Sequence, residues 1–164
     1  GKIKMQMEYF AINELIVEVI DQLSIRSERK NISIQFKSKK KTIIVFADWL
    51  RIKQVLVNLI SNAIKYTKDS GQIKVEIDET DTNVKIKIID NGVGIPKTEL
   101  GRIFERFYRV DKSRSRERGG TGLGLAIVKH ILEGHNSSVE VESVEGKGSV
   151  FKFQLSKDKI ATVR

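Results

Sequence analysis

Residues 48–66 read Asp-Trp-Leu-Arg-Ile-Lys-Gln-Val-Leu-Val-Asn-Leu-Ile-Ser-Asn-Ala-Ile-Lys-Tyr, and their apolar residues recur at helical spacing. Asp48 is suited to cap the first turn of this helix. A second face carries polar residues spaced i, i+4, i+7 and i+8, namely Asn58, Asn62, Lys65 and Tyr66. Two amides, an ammonium and a phenol aligned in this way favour a site that binds Mg²⁺ through amide oxygens and phosphate through the lysine. The alternative is a polar stripe that faces solvent, as on any amphipathic helix.

The segments on either side of this helix predict a sheet. Strand patterns occupy residues 32–36, 42–46, 72–79, 83–90, 138–144 and 148–155, while helical spacing recurs over 12–23 and near 122–134. This order predicts an α+β domain of two layers, with one largely antiparallel sheet covered on one face by helices. Residues 1–10 show no periodicity and are expected to form a flexible lead-in. The domain is then expected to span 11–155, followed by a loose tail over 156–164.

Composition excludes several classes of protein. The 164 residues are the length of one domain, 40% are hydrophobic and 31% charged, and no apolar run approaches the 18 residues of a membrane span. The absence of cysteine excludes disulfides and thiolate metal sites. A net charge of +9 suits nucleic acid, an anionic membrane surface or a phosphorylated ligand.

Two glycine-rich stretches interrupt the regular pattern. Asp90-Asn91-Gly92-Val93-Gly94-Ile95-Pro96 follows a strand, where a carboxylate could accept a hydrogen bond from an adenine amino group and the glycines would let the backbone approach the base. The alternative is a tight turn at the strand exit. Residues 119–125, Gly-Gly-Thr-Gly-Leu-Gly-Leu, precede a helix and would present free N–H groups to an anion, or would form a hinge.

The segment between the two glycine stretches is long and aperiodic. It contains Phe104-Glu105-Arg106-Phe107-Tyr108-Arg109, in which arginines alternate with aromatic residues. This pattern fits either stacking on nucleic acid or the anchor of a mobile lid over residues 96–120, with arginines that reach phosphate.

Together and in this order, these stretches resemble the catalytic ATP-binding domain of sensor histidine kinases, within the GHKL or Bergerat-fold superfamily. Residues 58–66 resemble the N box, 90–95 the G1 box, 104–108 the F box and 120–124 the G2 box, and the likeness extends from about residue 10 to 155. Gly146-Lys147-Gly148-Ser149 resembles the last glycine turn. The resemblance implies an α/β sandwich with a mixed five-stranded sheet, three helices and an ATP lid.

The resemblance also implies a role for each matching residue. Asp90 would fix the adenine amino group, and Ser149 would lie near adenine. Asn62 would bind Mg²⁺ with Asn58 beside it, while Lys65 and Arg109 would reach the phosphates. Tyr66 and Tyr108 would flank the base or ribose. The remaining nucleotide-binding positions implied by the boxes are Gly92, Gly94, Ile95, Gly120, Thr121, Gly122, Leu123, Gly124 and Leu125.

One position carries a mechanistic implication. True ATPases of the superfamily place a water-activating glutamate where this chain has Asn58, and an amide cannot act as a general base near pH 7. The resemblance therefore implies a protein-histidine kinase with Asn58, Lys65 and Arg109 as its catalytic residues, which retains Mg-ATP for another nucleophile. The open alternatives are a regulatory nucleotide-binding module and an ATPase that does not phosphorylate histidine.

The acceptor is expected to lie outside this chain. His130 and His135 are the only histidines, and neither has the neighbours of the family's acceptor motif. The resemblance implies transfer of the γ-phosphate to a histidine on a dimerisation segment of the same full-length protein, with a response regulator downstream and no nucleic-acid partner. The isolated domain is expected to be monomeric and unable to phosphorylate itself. It is also expected to be cytoplasmic, within a homodimer anchored in the cell membrane.

Overall fold

The structure is a computed structural model that describes residues 4–109 and 124–158. Its strands are β1 (Met7–Ala11), β2 (Ser33–Lys37), β3 (Ile44–Asp48), β4 (Gln72–Glu79), β5 (Asn83–Asp90), β6 (Glu140–Val144) and β7 (Gly148–Ser156). Its helices are α1 (Ile12–Gln22), α2 (Ser24–Arg29), α3 (Trp49–Tyr66) and α4 (Gly124–Gly134). The short α2 continues α1 after Leu23, so the three expected helices are present.

A five-stranded sheet forms one layer of the domain, in the order β2-β4-β5-β7-β6. β2 pairs with β4 in parallel, and the other three pairings are antiparallel. Alternate residues of β4, β5 and β7 are buried against the helices, as an amphipathic sheet requires. The expected α+β sandwich with a mixed, mostly antiparallel five-stranded sheet is therefore confirmed.

The beginning of the chain differs from the prediction. Residues 7–10 are not a flexible lead-in, because β1 pairs antiparallel with β3 in a separate two-stranded sheet. The Tyr9 and Phe46 rings lie 4.7 Å apart across this pair. The described residues therefore form two sheets rather than the single sheet that was expected. The loose tail predicted over residues 156–164 is also wrong at its start, because Ser156 ends β7 and Lys157 N donates to Thr82 O at 2.9 Å. Residues 159–164 lie outside the described part.

Helix α3 runs through the centre of the domain. Its Asp48 cap is confirmed, since Arg51 N donates to Asp48 Oδ1 at 3.1 Å. Its apolar face is buried against the sheet and the neighbouring helices, and includes Ile52, Val55, Leu56, Leu59, Ile60, Ala63 and Ile64. Burial of this face stabilises the helix and leaves the opposite face for other contacts. In the described residues no helix is long and apolar enough to cross a membrane.

Candidate functional site

The polar residues predicted on α3 do lie together on one face. Asn58, Asn62, Lys65 and Tyr66 are all partly exposed, whereas Leu59, Ile60, Ala63 and Ile64 between them are buried. The Lys65 ammonium lies 5.9 Å from the centroid of the Tyr66 ring. The helix therefore presents two amides and one cation along a single line, at the side of the domain where α4 packs.

Asp90 ends β5 and is almost fully buried. Its Oδ1 accepts hydrogen bonds from Gly92 N at 2.9 Å and from Ser149 N at 3.3 Å. Among the described residues, none donates a hydrogen bond to Oδ2. Burial raises the pKa of the Asp90 carboxyl above its usual value, and the two backbone hydrogen bonds oppose that rise. Asp90 is thus a fixed, buried acceptor whose second oxygen is available to a ligand donor.

The loop after Asp90 is held close to the end of α3. Val93 N donates to Tyr66 O at 3.0 Å, and a Cβ added at Gly92 would collide with the same carbonyl. Gly94 adopts a φ of +70°, where a Cβ would collide with Val144 O. Only glycine tolerates both the conformation and the close approach. The loop therefore joins the polar face of α3 to the Asp90 carboxylate.

Ser143 on β6 belongs to this site, although it is not among the residues that the resemblance implies. Its hydroxyl accepts a hydrogen bond from Ile95 N at 2.8 Å and lies 2.8 Å from the Ser149 hydroxyl. Ser143 and Ser149 are register partners across the β6–β7 turn. The glycine turn at residues 146–148 predicts this pairing, and that signal would have identified Ser143.

The start of α4 meets the polar face of α3. Asn58 Nδ2 donates to Gly124 O at 3.4 Å, and a Cβ added at Gly124 would lie 3.7 Å from Asn58 Oδ1. Leu125 packs against the core from the first turn of α4. Gly120, Thr121, Gly122 and Leu123 lie outside the described residues, so their expected contact with phosphate stays a prediction.

The segment after Pro96 is anchored to the core by its side chains. Ile103 is buried, and the Phe104 ring packs edge-to-face on Phe151 with centroids 6.4 Å apart. Phe107 is 70% exposed. The Arg102 guanidinium lies 4.5 Å from the centroid of the Tyr108 ring, and the expected place of Tyr108 beside the base or ribose stays a prediction. Arg109 is partly exposed and is the last described residue before the gap, so its role at the phosphates and the lid over 96–120 stay predictions.

A family model described as histidine kinase-, DNA gyrase B- and HSP90-like ATPase matches residues 47–159. The chain belongs to this family. The matched range contains the polar face of α3, Asp90 and its loop, and Ser149. The expected place of the chain in the GHKL superfamily is thereby confirmed.

Individual relatives point to the histidine kinase branch of the family. The chain is 37% identical over 150 residues to the sensor histidine kinase WalK of Bacillus subtilis, and the match covers 90% of the chain and 24% of WalK. The chain therefore spans about a quarter of the length of this relative. The catalytic domain of histidine kinase ThkA superposes with a TM-score of 0.82 at 35% identity, over 93% of this chain and 99% of that domain.

Two further structures show relatives of this domain with other molecules. Full-length ShkA, solved in complex with AMPPNP, superposes with a TM-score of 0.82 at 29% identity, over 94% of this chain and 32% of ShkA. ThkA has also been solved in complex with the response regulator protein TrrA, with a TM-score of 0.78 at 31% identity over 93% of this chain and 42% of that one.

Proposed function

We propose that this domain binds Mg-ATP and transfers the γ-phosphate to a histidine on a separate segment of a sensor histidine kinase. The observation that carries the proposal is Asp90: its Oδ1 is fixed by two backbone N–H groups, and its Oδ2 is left to accept a hydrogen bond beside the polar face of α3. The histidine kinase relatives give the class of acceptor.

The arrangement suits an adenine nucleotide because adenine carries an exocyclic amino group. The buried carboxylate of Asp90 would accept from that group, and a guanine carbonyl at the same position would face a second acceptor. Ser149 and Ile95 would border the base, since both are tied to the Asp90 loop through Ser143. Tyr66 would flank the base or ribose from the end of α3.

The phosphates would then lie along the polar face of α3 towards the start of α4. Lys65 would bind phosphate oxygens from α3, and Arg109 would do so from the expected lid. N–H groups at the start of α4 and in residues 120–123 would add donors, because a helix N-terminus favours anions. The catalytic contribution of these groups would be positioning and neutralisation of charge, as in other phosphoryl transfers.

A magnesium ion fits the residues of this face. The Asn58 amide directs Nδ2 to Gly124 O, which leaves its Oδ1 as a hard oxygen ligand. Asn62 lies one turn further along the same partly exposed face and would be the principal protein ligand. When bound, Mg²⁺ would neutralise developing charge on the phosphate oxygens.

The acceptor histidine would come from a segment upstream in the full-length protein. The contacts of His135 argue against a role as the phosphoacceptor, because its Nε2 accepts from Asp48 N at 3.0 Å and its Nδ1 lies 2.9 Å from Ile131 O. We further propose a response regulator as the downstream partner, since ThkA has been solved with one. Homodimerisation and membrane anchoring of the full-length protein, with this domain in the cytoplasm, belong to the same proposal.

The test is transfer between separately prepared parts. The domain, Mg-ATP labelled at the γ-phosphate and the histidine-bearing helical segment of the same gene are mixed, and labelling of the segment is followed. We expect an acid-labile, base-stable phosphohistidine and no label on the domain itself. Asn62→Ala is expected to abolish transfer. ATP binding without transfer would support a regulatory nucleotide-binding module instead, and rapid ATP hydrolysis by the domain alone would support an ATPase.

A further inference from the structure

The C-terminal end of α3 is held by a lysine from another part of the chain. Lys30 follows α2, and its ammonium lies 2.7 Å from Ile64 O and 3.2 Å from Lys65 O, and also donates to Thr67 O. The last carbonyls of a helix have no donor within the helix and require partners from elsewhere. One ammonium, with its three N–H donors, supplies three of these partners.

The Tyr66 carbonyl lies between those that Lys30 binds, and the candidate site binds it instead. Tyr66 O accepts from Val93 N at 3.0 Å, in the loop that follows Asp90. The carbonyls of residues 64–67 are therefore divided between Lys30 and Val93. A shift of the helix end that displaces the three carbonyls bound by Lys30 also displaces Tyr66 O, and with it the Gly92–Val93 backbone.

Lys30 is itself fixed to the turn that follows α3. Its carbonyl accepts from Ser70 N at 2.8 Å, and its own N–H donates to Ser27 O at 3.2 Å. The side chain and the backbone of Lys30 thus bind two ends of the same turn, residues 67–70. A cation at a helix C-terminus also interacts favourably with the helix dipole.

We propose that Lys30 is a positioning residue for the nucleotide site. Its ammonium fixes the helix end that carries Lys65 and Tyr66, and through Tyr66 O it fixes the register between α3 and the Asp90 loop. This inference rests on the proposed function, because the positioned groups are the ones assigned to ATP. The three contacts of the Lys30 ammonium described above are with backbone carbonyls, and Lys30 is not proposed to touch the nucleotide.

The experiment compares substitutions that remove or retain the donors. Lys30→Met keeps the length of the side chain without donors, Lys30→Arg retains charge and donors, and Lys30→Gln retains two donors without charge. Lys40→Met is the matched control. Lys40 pairs with Glu79 at one end of β4, whereas Asp90 is the register partner of Ile73 near the other end. ATP affinity is measured by calorimetry at a temperature where every variant is folded, and thermal unfolding is recorded separately.

We expect Lys30→Met to weaken ATP binding about tenfold, because small displacements of positioning groups have large effects on a site. Lys30→Arg should lose less affinity, and Lys40→Met should bind as the wild type does. By NMR, exchange of the Val93 amide hydrogen should accelerate in Lys30→Met relative to the amides of β5 and β7. That local readout does not depend on nucleotide.

A purely structural role predicts a different result. If Lys30→Met lowers the unfolding temperature but binds ATP within twofold of the wild type, the inference is overturned. If Lys30→Met does not fold, Lys30→Gln takes its place in the same comparison with the same two outcomes. A wild-type domain that fails to bind ATP would overturn the proposed function, and this inference with it. If the wild type binds ATP and the Lys30 variants bind it with the same affinity, only the inference about Lys30 is overturned.

Discussion

Ser149 N–H donates to Asp90 Oδ1 at 3.3 Å across two adjacent strands, and the two residues are register partners in β5 and β7. The same oxygen accepts from Gly92 N, so both donors converge on one side of the carboxylate. The side chain is consequently fixed by the sheet and by the loop that follows β5. This fixed orientation determines what any substitution at position 90 presents to a ligand.

Asp90→Asn is expected to weaken ATP binding by more than about tenfold, because the complex loses a hydrogen bond to a charged group. The two backbone donors require an oxygen at the Oδ1 position, so the asparagine amide nitrogen would take the place of Oδ2 and face the adenine amino group donor to donor. A guanine carbonyl would suit that amide nitrogen better, so the preference for ATP over GTP should also fall. Calorimetric titration of both nucleotides measures the two effects. Equal affinity of the wild type for ATP and GTP would contradict the role of Asp90.

The same substitution should not destabilise the protein without nucleotide. The pKa of Asp90 is raised by burial in the folded state, so the ionised carboxylate opposes folding near neutral pH, and this cost disappears as the pH falls through the raised pKa towards 3.8. Asparagine removes the charge and retains an oxygen for Gly92 N and Ser149 N. Urea unfolding at pH 7 should give a free energy of unfolding equal to or above that of the wild type.

Gly92→Ala should disrupt both the fold of the loop and nucleotide binding. The added methyl group would collide with Tyr66 O, and relief requires the Asp90 loop to move away from α3. We expect a loss of about 1–3 kcal/mol in the free energy of unfolding, typical of overpacking, together with loss of ATP affinity. Gly101→Ala is the matched control, because a Cβ at Gly101 has no described heavy atom within 4 Å. Similar stability and affinity for the two variants would show that the loop is not closely packed.

The features that the sequence predicted correctly depend on local pattern. The helix over 49–66 has continuous apolar periodicity, and Asp48 caps it from the adjacent position. The resemblance implies that Asp90 and Ser149 lie at one site, and the two residues are register partners in the sheet; their roles at adenine stay predictions. The resemblance therefore supplied a non-local pairing that periodicity alone does not contain.

The features that the sequence missed depend on contacts between distant segments. β1 reads Met-Glu-Tyr-Phe-Ala, without clear alternation, and its partner β3 begins 33 positions after β1 ends. An asparagine near the start of a helical pattern, such as Asn13, favours a helix cap, but α1 begins directly after β1 at Ile12. Asn13 instead accepts from Ile43 N at 2.7 Å inside the domain. Lys30 has no local signal at all, since its three acceptors lie more than 30 residues away in the chain.

His135 should make the stability of the domain depend on pH near its ordinary pKa. Burial lowers the pKa of His135 below 6.5, while its hydrogen bond to Ile131 O and the nearby Asp48 charge act in the opposite direction. Nε2 accepts from Asp48 N–H, so the folded state requires the neutral ring. The contribution of His135 to the free energy of unfolding is complete above about pH 6.5. It is lost as the pH falls through the lowered folded-state pKa, because the unfolded chain takes up the proton first.

The measurement is urea unfolding between pH 5 and 8 for the wild type and His135→Gln. The wild type should lose free energy of unfolding as the pH falls below about 6.5, and the variant should show a flatter profile over that window. His135→Gln should also be less stable at pH 8 by about 1–3 kcal/mol, the cost of disturbed buried hydrogen bonds. His130→Gln is the control, since His130 is exposed on α4. A profile for His135→Gln parallel to that of the wild type would contradict this assignment.

We propose that Asn58 favours retention of ATP over its hydrolysis, and Asn58→Glu tests that role directly. The amide cannot activate water, so the wild-type domain should bind ATP and hydrolyse it very slowly; brisk hydrolysis would contradict the proposed histidine kinase function. A glutamate supplies a general base at this position, and we expect hydrolysis to rise by about tenfold or more. It also removes the donor to Gly124 O and sets a carboxylate against that carbonyl, so transfer to the acceptor histidine should fall. Asn58→Gln is the matched control, because it has the length of glutamate without the base. If glutamine raises hydrolysis as much as glutamate does, the effect comes from altered packing at the start of α4 and not from base catalysis.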